Sequence, residues 1–433
     1  MQKVLIVTYY WPPAGGPGVQ RWLYFVKYLR DFGIEPVLYI PGKPHYPITD
    51  PELQQVVPEG LRIYRSKFWE PYRLAGLFGR RKTRRISSGI IRKQNPGWTE
   101  KWMLWIRGNL FIPDARRFWI PVARRELPDI FNKEGIGTII TTGPPHSLHL
   151  IGLEAKRHQG LRWVADFRDP WTEIGYQSAL YLGRRASKKH LALENEVLRE
   201  ADEVIATSRK TAEDLGKTAN RTVRVITNGY DREPAAGFQP EEPFVVAHIG
   251  SLLSGRNPMA LWSAMGQLCK EDPSFREQFR LELTGLVSPE VQAALKRFGI
   301  WEHVRIEPYV PHADAVRRQR QAQVLLLIEI DSPETRGILP GKLFEYMAAS
   351  RPVLAVGPSA WEAAAMVRES GCGAGFTYEQ RDGIIGQLRE WFGAYRRGVL
   401  DCRVTGIRKY HRKALTEQLV KEILWESSAG NPS

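Results

Sequence analysis

The chain is poor in cysteine. Cys269, Cys372 and Cys402 are its only thiols in 433 residues. They are odd in number and far apart, which excludes a disulfide framework and a Cys-x-x-Cys metal site. Such a content fits a reducing cytoplasm. No apolar run approaches the roughly 20 residues that a membrane-spanning helix needs, so a soluble or peripheral protein is expected. The opening run MQKVLIVTYYWPP is stopped by prolines before it reaches the length of a signal peptide's apolar region. No low-complexity tract points to disorder, and no recognisable nucleic-acid-binding motif is present. Acidic residues are also short in supply: 47 Asp and Glu face 62 Lys and Arg, a net charge of +15.

What remains is a globular mixture, 43% hydrophobic and 25% charged. Its length exceeds one ordinary core, so two domains are expected. The positive excess is local. Between Arg73 and Arg125, fourteen Lys and Arg face only Glu100 and Asp114, a net +12. The same stretch carries Trp98, Trp102, Trp105, Phe111 and Trp119. Cationic side chains interleaved with Trp suit the interface of an anionic membrane. A packed helical insertion with a charged outer face is a second reading. A nucleic-acid surface working by phosphate contact and stacking is a third.

The apolar pattern alternates between strand and helix. Lys3–Tyr10 reads as a buried parallel strand. A Gly/Pro loop follows, then a helix from about Val19 with Trp22, Phe25, Val26 and Leu29 on one face. Gly33 ends it, and EPVLYI is a second strand. This is the start of a doubly wound sheet. Beyond the basic stretch, strands are expected at Thr138–Thr141, Trp163–Ala165, Glu203–Ala206 and Val223–Ile226, with helices at His149–Arg157 and Ser187–Ala201. Residues 229–243, GYDREPAAGFQPEEP, have the composition of a linker. A second alternating series starts with Phe244–Ser251. The architecture implied is α/β, two βαβ domains facing a cleft. The expected boundaries are 1–228, with an insertion at about 66–128, then 229–405, then a helix over 406–433 that packs back on the first domain.

Ligands of doubly wound sheets bind beyond the C-terminal strand ends, and four segments there carry chemistry. Gly15 and Gly16 let main-chain N–H groups approach a phosphate or sugar closely. The third position of a dinucleotide fingerprint is Arg21, and EPVLYIPGKP offers no ribose-binding acid after the second strand, which argues against a nicotinamide enzyme. TTGPPHS places His146 in a loop, where an imidazole can donate to a sugar and polarise a reacting centre. ADFRDPW supplies Asp166, Arg168 and Asp169, of which Asp169 or Asp166 can hold an acceptor hydroxyl and Arg168 can equally be an internal ion-pair partner. Finally, SPETRGILPGKLFEYMAASRPVLAV over 332–356 runs from a turn into a helix. The helix start near Gly341, Lys342 and Leu343 suits a diphosphate. Glu345, three residues after Lys342, can accept from sugar hydroxyls.

Taken together, YYWPPAGGPGVQR, TTGPPHSLHLIG, ADFRDPWTE, ITNGYD and PGKLFEYMAASRPVLAV resemble the motifs of a family 4 glycosyltransferase over almost the whole chain. The resemblance implies the GT-B fold of two Rossmann-like domains, and retaining transfer from a nucleotide-diphosphate sugar with no obligatory metal or cofactor. It implies that Gly15 and Gly16 line the donor phosphates and sugar, that His146 is in the active-site histidine loop, and that Glu345 binds the donor ribose. Three positions depart from the pattern. Gly337 stands where the family has a sugar-contacting glutamate, with Glu334 out of register. Ser251 stands at the expected Arg position, and Arg256 at the Lys position, where it keeps the charge and adds a bidentate fork.

The expected function is therefore sugar transfer to a membrane-linked or glycan acceptor in surface polysaccharide synthesis. Arg256 and Lys342 would neutralise the leaving diphosphate, and His146 and Asp169 would serve the acceptor. The expected location is cytoplasmic, peripheral on the inner membrane face through the basic and Trp-rich region. A nucleotide-sugar epimerase type and a non-catalytic sugar-nucleotide-binding protein are the alternatives.

Overall fold

The computed structural model describes residues 1–46, 48–70, 97–172, 180–231 and 243–425. The chain divides into two compact units, Met1–Asn228 with Arg412–Ser433, and Gly229–His411. In the first, seven strands order as β3-β2-β1-β4-β5-β6-β7. They are β1 (Gln2–Val7), β2 (Ile34–Pro41), β3 (Arg62–Ser66), β4 (Thr138–Gly143), β5 (Arg162–Phe167), β6 (Glu203–Ala206) and β7 (Arg224–Val225). In the second, six strands order as β10-β9-β8-β11-β12-β13. They are β8 (Phe244–Ile249), β9 (Phe279–Thr284), β10 (Val304–Glu307), β11 (Val324–Ile328), β12 (Val353–Val356) and β13 (Gly373–Phe376). Every neighbouring pair whose register is defined runs parallel.

Continuous apolar strands follow from burial on both faces. Leu5 and Val7 of β1 enter one core and Val4 and Ile6 the other. In β11, Val324, Leu326 and Ile328 alternate in the same way with Leu325 and Leu327. Each sheet winds outward from its first strand and then restarts on that strand's other side. The topological switch therefore lies between β1 and β4 in one unit and between β8 and β11 in the other, where loops part and leave room for a ligand.

The helix Pro17–Leu29 opens with proline in its first turn, buries Trp22, Leu23, Phe25, Val26 and Leu29, and gives way to Gly33 at φ +77. The C-terminal segment packs on it. Leu415, Leu419, Val420, Ile423 and Leu424 share its core cluster, at about 1.5–3 kcal/mol for each fully buried side chain. The second unit is thus bracketed by two stretches of the first.

The basic insertion divides in character. Residues 71–96, with eight of its fourteen cations, lie outside the described residues, as do 232–242 of the expected linker. Trp119, grouped above with the interfacial aromatics, is instead fully buried, stacked between Tyr39 and Phe68 at 5.2 and 5.1 Å. Arg116 is also buried, over the ring of Tyr9. The helix Trp98–Asn109 is different: Trp98, Trp102 and Trp105 are 77%, 52% and 41% exposed. Their spacing puts them on one face, while Leu104 and Gly108 are buried on another. No helix among the described residues is long and apolar enough to cross a membrane.

Candidate active site

In the first unit, β4 ends at Gly143 and the helix Ser147–Gln159 begins four residues later, so Pro144, Pro145 and His146 form the crossing. Two side chains clamp this loop. Asp114 accepts from the Ser147 N–H at 2.9 Å and its hydroxyl at 2.7 Å, and from the Arg116 N–H at 2.8 Å. Its charge complements the positive helix end. Arg168 donates to the carbonyls of Gly18 at 2.6 Å and Gly143 at 3.3 Å, and to that of Pro144. It is therefore a bolt through the main chain of two loops.

His146 is 5% exposed, and neither ring nitrogen has a hydrogen-bond partner. The ring stacks on Trp171, with centroids 5.0 Å apart and planes 9° from parallel. Burial, reinforced by His149, Arg168 and His190, holds its pKa well below the usual imidazole value. The ring is neutral at pH 7, with one donor and one acceptor. An unpaired buried polar group costs about 1–3 kcal/mol, so the two ring nitrogens have bonding capacity that no protein group in the structure uses. It lines a cavity of about 90 Å³, together with Tyr10, Arg107, Asp114, Arg116, Trp171 and His190. The two histidines beside it each have a bonded nitrogen, though His149 Nε2 has no hydrogen-bond partner among the described residues. His149 bonds Thr141 Oγ1 at 3.0 Å, and His190 Nδ1 accepts from the Trp171 indole at 3.0 Å.

The other expected residues of this unit separate. Asp166 cannot hold an acceptor, because it is fully buried and saturated: Arg21, Trp22 and Thr142 all donate to it. Burial alone would raise its pKa, and the charge and hydrogen bonds of Arg21 outweigh that and lower it. Asp169 is half-buried and does not line the His146 cavity. Burial raises its pKa against the opposing charge of Arg168. The paired glycines differ as well. The Gly15 N–H is already spent on Ile48 O at 3.0 Å, and a Cβ there would sit 3.0 Å from the Ile48 side chain. Gly16, at φ +95 with open space beside it, gives the loop its turn into the helix.

In the second unit the switch point gathers charge. Arg256, in the loop after β8, donates from Nε and Nη2 to Glu329 Oε1 at 2.9 and 2.8 Å. Glu329 is buried at the end of β11. Lys342, in the first turn of the helix Gly341–Ala348, donates from Nζ to His248 Nε2 at 3.3 Å. Its pKa is pushed down to about 7 by burial and then by Arg256, against Glu329 and Glu345. Glu345 accepts from His312 Nε2 at 2.9 Å and Gln319 Nε2 at 3.0 Å, both on the helix His312–Gln321. These donors fix the orientation of the Glu345 carboxylate, which the family resemblance expects to meet a ribose.

Gly341 opens that helix with no side-chain cap. Leu343 is corrected: its side chain is core, and its N–H is taken by Pro340 O at 2.9 Å. Glu334 does not replace the glutamate missing at Gly337, since it is exposed and bonded to the Ser332 hydroxyl. His248, Glu329, His312 and Gln319 went unnoticed in the sequence. The available signal was position, because His248 and Glu329 are each within a residue of a strand's C-terminal end.

Among solved structures, HepE of Anabaena, determined in complex with UDP and glucose, is 13% identical and matches 98% of this chain and 100% of its own at TM-score 0.62. Sucrose-phosphate synthase from Thermosynechococcus elongatus is 16% identical, with 97% of each chain covered at TM-score 0.58. WaaG, a glycosyltransferase involved in lipopolysaccharide biosynthesis, is 13% identical and matches 97% of this chain and 99% of its own at TM-score 0.56. At such identities the likeness is one of fold. A comparison with curated protein sequences finds no match. The family described as glycosyl transferase 4-like domain matches residues 15–231, half of the chain. With two parallel sheets wound as in GT-B enzymes and a match across that stretch, the chain belongs to the glycosyl transferase 4-like family and is a glycosyltransferase.

Proposed function

We propose that the protein transfers a sugar, with retention of configuration, from a nucleotide-diphosphate donor to a membrane-linked or glycan acceptor in surface polysaccharide synthesis. The observation that carries the reading is the gathering of Arg256 and Lys342 at the second unit's switch point. That is where a doubly wound sheet receives a ligand. The binding of UDP by HepE, as its structure is described, supports a nucleotide donor.

In this reading the diphosphate lies against Arg256, Lys342 and the helix start at Gly341, and Glu345 takes the ribose hydroxyls. The bond from the anomeric carbon to the diphosphate oxygen breaks. Arg256 and Lys342 neutralise the charge that develops, each contributing roughly 2–4 kcal/mol by analogy with one oxyanion donor. The acceptor oxygen bonds the anomeric carbon from the same face, and its proton passes to the departing phosphate oxygen. The reading assigns no metal to this step. The acceptor belongs to the first unit, with His146 the group that meets it and Asp169 beside that loop. Trp98, Trp102 and the basic insertion hold the enzyme to the inner membrane face.

The test is incubation with a panel of nucleotide sugars and lipid-linked or oligosaccharide acceptors. Products are read by mass spectrometry and the new linkage by NMR. Transfer with an unchanged anomeric configuration is expected. Donor turnover without any acceptor would point to an epimerase-type reaction, and binding without turnover to a non-catalytic protein.

A further inference from the structure

At the end of β8, His248 is fully buried and its two ring nitrogens face different partners. Nδ1 lies 3.0 Å from the main-chain carbonyl oxygen of Leu326 on β11. A carbonyl only accepts, so Leu326 favours the proton on Nδ1 and a lone pair on Nε2; the main chain of Ser251 also faces the ring. Lys342 Nζ, which as an ammonium only donates, lies 3.3 Å from that lone pair. The carbonyl of β11 thus favours the tautomer whose lone pair faces the lysine head. Gly250, at φ +125, completes the seat: a Cβ there would come within 2.9 Å of Nζ.

We infer that His248 is a positioning residue of the donor site, holding the Lys342 ammonium over the end of β8 so that it meets the diphosphate of the nucleotide donor. This rests on the reading of Lys342 as a diphosphate ligand. The charged groups around the lysine are Arg256 from the loop after β8, Glu329 from the end of β11, and Glu345 on its own helix, itself bonded by His312 from the helix His312–Gln321. Burial and then the Lys342 charge keep His248 neutral. Lys342 is pushed down to about 7, so it carries its charge below that pH and loses it above. A lone pair facing the amine favours the charged form. Removing that lone pair moves the loss of charge to lower pH.

The test uses the full-length protein, calorimetric titration with UDP and with inorganic pyrophosphate, and a series across about pH 6–9. His248→Asn keeps an amide donor near Nδ1 for Leu326 and deletes the acceptor for Lys342. His248→Gln places an acceptor near Nε2. The Asn variant is expected to bind both ligands about tenfold more weakly at neutral pH, with its affinity lost at lower pH than in the parent. The Gln variant is expected to recover most of the affinity. An Asn variant with parental affinity and pH profile would overturn the inference. So would equal losses in both variants with the pH profile unmoved. Lys342→Met separates the two levels. If it binds UDP and pyrophosphate as the parent does, the donor-site reading itself fails. If it binds weakly while the His248 variants do not, only the role of His248 fails.

Discussion

Arg21 and Asp166 form a salt bridge sealed inside the first unit. Nη2 lies 2.8 Å from Oδ1 and Nε 3.1 Å from Oδ2, with side chains 1% and 0% exposed. The pair joins the helix after β1 to the end of β5, and Arg21 Nη1 also reaches the carbonyl of Thr227 at 2.9 Å. Asp166→Ala leaves a guanidinium buried without its counter-charge, a loss of about 3–5 kcal/mol, read by urea denaturation. Because the folded pKa of Asp166 lies below the unfolded one, its contribution is complete above about pH 4 and fades as pH falls through the folded value. The variant's deficit relative to the parent should therefore shrink in acid. A deficit that stays constant with pH would mean the pair is not the source.

His146→Ala should lower turnover by about tenfold to a hundredfold, the cost of losing one buried hydrogen bond that positions the acceptor. Calorimetric affinity for UDP should hardly change, because this histidine is assigned to the acceptor. Parental turnover would remove His146 from the reaction.

Glu345→Ala should weaken UDP binding by about 1–3 kcal/mol through the lost ribose hydrogen bonds. UDP and inorganic pyrophosphate together localise the effect. Pyrophosphate has no ribose, so its affinity should change much less. Equal weakening of both ligands would place the effect on the neighbouring Lys342 instead.

The exposed face of Trp98 and Trp102 should carry lipid binding. Co-sedimentation with phosphatidylglycerol-containing vesicles should weaken in the double variant Trp98→Ala/Trp102→Ala. It should also weaken for the parent protein at high salt, at about 1 kcal/mol for each surface cation that no longer contributes. Binding indifferent to salt, lipid charge and both substitutions would rule out this face as the contact.

Much of the fold was legible because parallel strands buried on both faces are written as unbroken apolar runs. KVLIV, VLLLI and VLAV needed no partner to be recognised, and Glu203–Ala206 occupies the stretch expected of it. The placement of the candidate site residues was legible for a related reason. Loops at the C-terminal strand ends are where doubly wound sheets receive ligands, and the candidates His146, Arg256, Lys342 and Glu345 all occur in or just after such loops. The roles of individual polar groups were not legible. Asp166 and Asp169 are alike in sequence, three residues apart, yet one is consumed by Arg21 from 145 residues away and the other is not. Trp119 and Trp98 lie in one basic stretch, but one is stacked in the core and the other faces solvent.

Local patterning thus settled the two alternating α/β series and the residue types offered at their strand ends, since hydrophobic period and turn chemistry act over a few residues. Tertiary packing settled which of those residues remain available. His248 meets Lys342 across 94 residues, and His146 is buried against the rings of Phe167 and Trp171 with neither nitrogen bonded. Pairings such as His248 with Lys342 and Arg21 with Asp166 depend on strand order and close packing, and these arise when distant segments share one core.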